Sequence, residues 1–505
     1  MISLTLVGCF LLGVLAYLLI SKRLNKPKLK GKLPPGPPGL PLLGNLLQMN
    51  KKVPFMTFVD WAKDYGDIYS FKMGNSVSYV ISDPTWVKEL FSQDAAFAGR
   101  MYIGDMVDLY KDGTMHGIIN TNGDHWEQLR RFTLRQLRDF GFGKSTMETL
   151  IMDELKEILD WVKDHEAESV GNIKEKMTIA VINSLWTILS GHRYKHDDPA
   201  LQKLTSTVTS VLEDIAGSGG LVIMAPWLKY IIPEWSGYNA FRRVLEKFRV
   251  MFTAAVDEHK QSYSEDFQRD FIDVFLKEIK TCEDVDSAFF GELGEKQLVA
   301  VIADLFMAGS DTTSTTLDWT FLYLSTFPEA QKKLQKELDT VIGDSRLCGL
   351  SDRPNLPYTE ALLAEIMRYS SITPSGVGHR AMADREFKGY AIPKDTSLLA
   401  NLYHIHFNPK IWGDPENFRP ERFLSPDGKT FKKHEALLPF LVGKRQCAGE
   451  TLARDTLFLY TTNIFHRFQV KFDPKDGNAN PGIKPRPGFM LNPMAYKVVF
   501  KDRQA

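Results

Sequence analysis

Cysteine is scarce in this chain: four residues among 505, at positions 9, 282, 348 and 447, with no two in CxxC spacing. That pattern argues against a disulfide framework and a structural zinc site, and points to a reducing compartment with one specialised cysteine. Net charge is missing as well, because 62 lysines and arginines balance 62 acidic residues. The chain as a whole therefore has no attraction for nucleic acid, and any electrostatic partner must be met by a local patch. No internal repeat or low-complexity segment is present, which excludes a repeat array. What the chain does have is an ordinary hydrophobic fraction of 44% and a charged fraction of 25%. Its length suits several domains or one enzyme-sized body with room to bury a cofactor.

Ile2 to Ile20 is uncharged, mostly apolar and just long enough to cross a bilayer as a helix. Lys22, Arg23, Lys26, Lys28, Lys30 and Lys32 follow it, and positive charge beside a span stays on the cytoplasmic side. A positive region before the run and an A-x-A-like site after it are both absent, so a retained anchor over 1–21 is expected rather than a cleaved signal. Pro34-Pro35-Gly36-Pro37-Pro38-Gly39 holds the backbone extended and reads, within 22–39, as a stiff spacer before a body spanning 40–505.

Within that body, Ile68–Phe71 and Val77–Ile81 flank Gly74 and Asn75 and predict a hairpin. From about Asp83 to Lys336 the pattern is mainly helical, with amphipathic spacing over Met147 to Asp164 and Ala240 to His259. Glu295 to Leu324 has no proline and is apolar on nearly all faces, which predicts a long helix buried through the centre. Strand-like runs return near Phe387 to Ile392 and Tyr496 to Phe500. The expected fold class is mainly α with a minor β region, preceded by one N-terminal transmembrane helix.

Near the C-terminus, Phe440-Leu441-Val442-Gly443-Lys444-Arg445-Gln446-Cys447-Ala448-Gly449 delivers a cysteine to the entrance of a helix over Glu450 to Phe465. Free N–H groups and the helix dipole there favour a thiolate, and the glycines let backbone approach a flat cofactor. The residues alone leave a buried free cysteine equally open. Glu365 and Arg368, three apart on a helix, can pair, though such pairs are usually solvated. Ala308-Gly309-Ser310-Asp311-Thr312-Thr313 interrupts the central helix with a glycine that costs about 1 kcal/mol relative to alanine. Either a kink or a ligand-facing gap accounts for it; Thr312 can donate a hydrogen bond and Asp311 can exchange protons with water.

The cysteine segment matches every fixed position of F-x-x-G-x-R-x-C-x-G, and the chain thereby resembles the cytochrome P-450 superfamily of haem-thiolate monooxygenases, closest to microsomal members of the second animal clan. The resemblance implies the cytochrome P-450 fold with haem b (iron protoporphyrin IX) as cofactor and Cys447 as the ligand to its iron. Leu441 departs from the family pattern, which usually has a small or polar residue there, so the packing of the loop is expected to differ. By the same resemblance, Glu365 and Arg368 form a buried network with Arg422 of Pro420-Glu421-Arg422-Phe423. Ala308 to Thr313 corresponds to A-G-x-D-T-T, with Thr312 as relay hydroxyl and Asp311 as its acid partner. Trp126 and Arg130 match W-x-x-x-R; with Arg100, His379 and Arg445 they are expected at the haem propionates. His379 follows Gly378, where the family more often has proline.

The implied activity is insertion of one oxygen atom from O2 into a lipophilic small molecule, by hydroxylation or epoxidation. The thiolate pushes electron density to the iron and favours O–O cleavage. Electrons come from NADPH through a flavoprotein reductase, with cytochrome b5 as a further partner. The reductase meets a basic patch of Arg130, Arg131, Arg135, Arg138, Lys144 and Lys444. By analogy Met106, Val107, Met115, Phe306, Ala308, Val377 and Met490 line the substrate pocket. The implied location is the endoplasmic reticulum membrane, single-pass, with the catalytic body in the cytosol. Rival readings are an isomerase or dehydratase acting on peroxides through the same scaffold, and a non-catalytic haem carrier or sensor; Asp311 and Thr312 argue against the first.

Overall fold

The computed structural model describes residues 31–41, 43–50, 53–74, 76–101, 108–140, 145–199, 201–203, 205–206, 226–476, 480–486 and 490–503, with positions 13, 29 and 222 singly. The anchor expected over 1–21, Lys22, Arg23, Lys26, Lys28 and Lys30, and the sites Met106, Val107 and Lys144 lie outside the described residues, Gly13 excepted. Among the described residues no helix is long and apolar enough to cross a membrane.

The segment read as a spacer is docked onto the body. The Ser70 N–H donates to Pro35 O at 2.7 Å and the Ala391 N–H to Lys32 O at 3.0 Å. At Gly36 a Cβ would stand 1.8 Å from Ser70 O. The glycine between the prolines is there for this close approach, and Lys32 and Pro35 are hydrogen-bonded to the body.

Pro54 in the first turn opens α1 (Pro54–Tyr65). The expected hairpin follows as β1 (Ile68–Met73) and β2 (Ser76–Ile81), antiparallel with Ile68 opposite Ile81. Asp83 accepts from the Trp86 N–H at 2.8 Å and caps α2 (Pro84–Gln93). Next come β3 (Gly99–Arg100), α3 (Gly123–Asp139), α4 (Ser145–Asp164), α5 (Ile173–Ser190), α6 (Tyr238–Ser262) and α7 (Phe271–Thr281). The long central helix is α8 (Gly291–Thr326), followed by α9 (Pro328–Val341) and α10 (Pro357–Ser370). The C-terminal part adds β4 (His379–Arg380), β5 (Arg385–Phe387), β6 (Tyr390–Ile392), β7 (Ser397–Ala400), α11 (Glu450–Arg467), β8 (Phe468–Phe472) and β9 (Val498–Asp502).

Among the described residues, the elements that the sequence outlined are present, usually a few residues longer. The run near Phe387 to Ile392 is two strands rather than one, since Lys388 and Gly389 turn at φ 52° and 79° and pair β5 back onto β6. The main sheet has the order β1-β2-β7-β4-β3. Its register sets Arg100 of β3 directly opposite His379 of β4.

At 1.5 Å per residue, the 36 residues of α8 run about 54 Å. The helix is buried on almost all faces, so its neighbours supply hydrophobic contact all round. The Phe306 ring packs edge-on against Trp186 of α5 at 5.8 Å and Phe252 of α6 at 5.4 Å. It is fully buried in that contact. Phe306 therefore belongs to the helix–helix core, which corrects its expected place on the substrate pocket. Ala308, half a turn on, is exposed although it sits mid-way along a buried helix, so that face of α8 borders open space inside the protein.

Candidate active site

The cysteine loop crosses from Phe440 to the start of α11. The Cys447 N–H donates to Phe440 O at 3.1 Å and the Gln446 N–H to Gly443 O at 3.0 Å, which curls the loop back on itself. Gly443, at φ 81°, lies so close to Phe91 O that a Cβ would be 1.9 Å away. Beside the loop, a slot is lined by Thr312, Thr313 and Thr316 of α8, Phe440 of the loop, and Ala453 and Leu457 of α11. Cys447 is exposed. Although part of its surface is accessible, the protein packed around it pushes its thiol pKa up, and the Gly449 N–H and Arg130 pull against that while Glu450 adds to it.

Positive charge gathers beside the loop. Arg445 donates from Nε to Ala98 O at 2.8 Å and from Nη1 to Ile118 O at 3.1 Å, and its guanidinium lies 3.6 Å from the Trp126 ring centre. Arg100 donates through Nη1 to Val377 O and Gly378 O, each at 3.1 Å. Arg130 donates to Gln446 O. Burial, with Arg100 and Arg130 beside it, brings Arg445 down to about 8; burial and Arg130 bring Arg100 to about 10. His379 stacks on Phe91 at 4.0 Å with Nδ1 bonded to Phe97 O at 2.8 Å. Burial and then Arg100 depress it to about 3. Nε2 of His379 and Nε1 of Trp126 are buried with no hydrogen-bond partner. Gly378 has its own reason: a Cβ there would meet Met101 Sδ at 3.0 Å and Leu399 Cδ2 at 3.1 Å, so Met101 fills the space a proline ring would take.

On α8, Thr312 faces the slot and its hydroxyl donates to Ala308 O at 2.8 Å. The Asp311 carboxylate pairs with Lys174 of α5 at 2.6 Å, and Lys174 donates as well to Asn492 Oδ1 at 2.7 Å. Two turns before Thr312, Asp304 accepts from the Ile118 and Ile119 N–H groups at 2.6 and 2.8 Å. Burial raises Asp304 to about 7 against those bonds and Arg445.

The family model for cytochrome P450 matches residues 34–500. Cytochrome P450 2J5 of Mus musculus is 33% identical over 468 residues, covering 92% of this chain and 90% of that protein. Cytochrome P450 2J2 of Homo sapiens is 32% identical over 491 residues (97% and 95%), and cytochrome P450 2B4 of Oryctolagus cuniculus 33% over 499 residues (98% and 99%). This chain belongs to the cytochrome P450 family. It is a haem-thiolate monooxygenase with a mainly helical P450 fold.

The residues present fit the P450 haem. Two buried guanidinium groups, Arg100 and Arg445, are depressed by burial and by neighbouring positive charge that includes the half-buried Arg130, Asp304 is the carboxylate that acts against this on Arg445, and two buried ring nitrogens lack partners. The two propionates of a haem supply the missing negative charge and acceptors. Cys447 is the exposed cysteine among the described residues, on the loop whose Phe440 lines the slot. The P450 network of Glu365, Arg368 and Arg422 is formed: Arg368 donates to both Glu365 oxygens at 2.7 and 2.8 Å, and Arg422 Nε lies 3.1 Å from Glu365 Oε2. Glu365 and Arg368 are fully buried. Met115 and Met490 are partly exposed, and Val377 is more so at 44%.

Three residues of this P450 site escaped sequence reasoning. Lys174 and Asn492 stand far from Asp311 in the chain and carry no motif. Asp304 did leave a signal, being the only charge between Leu298 and Ser310 in an apolar helix.

Proposed function

We propose that this P450 takes electrons from NADPH through a flavoprotein reductase and inserts one oxygen atom of O2 into a lipophilic small molecule. The observation that carries this reading is the exposed thiol of Cys447 on the loop whose Phe440 lines a slot together with Thr312, beside the buried guanidinium groups of Arg100 and Arg445. The bound haem would supply dioxygen activation at its iron. Cys447 would ligate the iron, while Arg100, Trp126, Arg130, His379 and Arg445 hold the propionates. A propionate beside His379 gives Nε2 an acceptor and lets the ring carry its proton, since Nδ1 already serves Phe97 O.

Thr312 presents a hydroxyl at the slot, and Asp311, held by the partly solvent-exposed Lys174, brings protons from water to that hydroxyl. Apolar Met115, Ala308, Val377 and Met490, with Met106 and Val107, suit a lipophilic substrate, with water excluded around it. Arg131, Arg135 and Arg138 stand exposed along α3, and Lys444 pairs with Glu127 of the same helix at 2.9 Å. This basic face would receive the acidic reductase. Ile2 to Ile20 would anchor the chain once through the endoplasmic reticulum membrane with the catalytic body in the cytosol. Exposed Tyr230, Ile231 and Trp235 beside Lys229 support contact with the same bilayer.

The test is turnover of a lipophilic substrate by purified protein with reductase and NADPH under ¹⁸O2. One labelled oxygen in the product and none in the absence of NADPH is expected. Conversion of a hydroperoxide with no need for NADPH, and no label from O2, would favour the isomerase class instead.

A further inference from the structure

We infer that Leu441 is a positioning residue that fixes the cysteine loop against the opposite wall of the slot and thereby sets where a substrate stands. The inference rests on the function proposed above. Leu441 is at φ 54°, a left-handed conformation that a residue with a Cβ rarely adopts. Its own N–H donates to Leu438 O at 3.1 Å, so the loop is closed on its local side. The side chain reaches across to Gly376, where Leu441 Cδ1 is 2.9 Å and Cγ 3.5 Å from the place a Cβ would occupy; Leu402 Cδ1 follows at 3.6 Å. Gly376 is itself left-handed, at φ 59°, with its N–H on Thr373 O at 3.1 Å. Two left-handed turns therefore meet face to face, one with a branched side chain and one with none.

Each turn belongs to a wall of the slot. Phe440, immediately before Leu441, lines it from the cysteine loop, and Ile372 and Thr373 line it from the segment that leads to Gly376. The same segment continues into the Val377 and Gly378 carbonyls that hold Arg100. The size of the side chain at 441 accordingly fixes the distance between the loop that carries the thiol and the strand of wall that carries Val377. A small residue at that position removes the prop, and the 372–378 segment settles into the space left behind.

A double-mutant cycle tests this on the full chain, with Gly376→Ala, Leu441→Ala and both together, read as thermal unfolding and as haem retained per protein. Gly376→Ala is expected to lower both, and Leu441→Ala to recover part of the loss, because the new Cβ no longer meets Cδ1. The second reading is spectral titration with 1-phenylimidazole. Leu441→Ser is expected to keep the wild-type reduced carbon-monoxide band while changing phenylimidazole affinity about twofold or more, the ratio given by a coupling at the low end for residues in contact. Additive losses across the cycle would overturn the interlock. Coupling in unfolding with unchanged phenylimidazole affinity would overturn the positioning of the wall. Failure of the proposed function itself shows separately, as a missing carbon-monoxide band in the wild type, and leaves the unfolding cycle readable.

Discussion

Asp304 titrates near neutrality because burial outweighs the two N–H groups and the arginine that favour its charge. Unfolded, its carboxyl ionises near the ordinary aspartate value of 3.8; folded, it does so at about 7. The folded chain binds this proton more tightly, so the contribution to stability is full below about pH 4 and is lost as pH rises to about 7. Asp304→Asn keeps an acceptor for Ile118 and Ile119 and is expected to flatten unfolding stability over that window; an unchanged slope would locate the titration elsewhere. Thr312→Ala should leave haem binding intact and lower the product formed per NADPH, the difference emerging as hydrogen peroxide. Full coupling in that variant would remove the hydroxyl from proton handling. Cys447 was legible because its ten-residue context is contiguous. Lys174 was not, because its partner lies 137 positions away and no local pattern announces a pairing made by folding.

Elements were legible where a period or a cap marked them and obscure where only tertiary contact creates them. The helices over Met147 to Asp164 and Ala240 to His259 followed from spacing. β3 and β4 are two residues each and exist only through their pairing, yet their register is what places Arg100 against His379. In α8, apolar on nearly every face, spacing gives no way to decide which face meets the cavity. Phe306 was thus assigned to the pocket although it packs between α5 and α6. The contact of α10 with the turn at Pro420–Phe423 depends on Glu365, which answers two arginines at once. Glu365→Gln leaves Arg368 and Arg422 buried without a counter-charge, and unfolding by urea is expected to show a loss of about 3–5 kcal/mol. A loss under about 1 kcal/mol would mean that the carbonyls of His406 and Pro415, which also accept from Arg368, carry the site.

At the scale of the whole molecule, the absence of net charge in the sequence conceals a strong separation of charge in the fold. Arg100, Arg130, His379 and Arg445 come from four distant stretches and converge on one buried region. Burial keeps His379 uncharged, and the Arg100 and Arg445 guanidinium groups donate to backbone carbonyls, with Asp304 the carboxylate acting on Arg445. Such a centre would be stabilised by an anionic cofactor, and it lies beside the loop that carries Cys447, where Arg130 donates to Gln446 O. The sequence motif marked the ligand; the fold shows why the cofactor must carry negative groups at that edge. The central claim is that the full chain binds haem through Cys447, and the most direct measurement is the reduced carbon-monoxide difference spectrum of the purified protein. A Soret band far to the red of a histidine-ligated haem is expected, lost on Cys447→Ala. A band at the histidine-ligated position in folded, haem-loaded protein, or a red-shifted band that survives Cys447→Ala, would contradict the account.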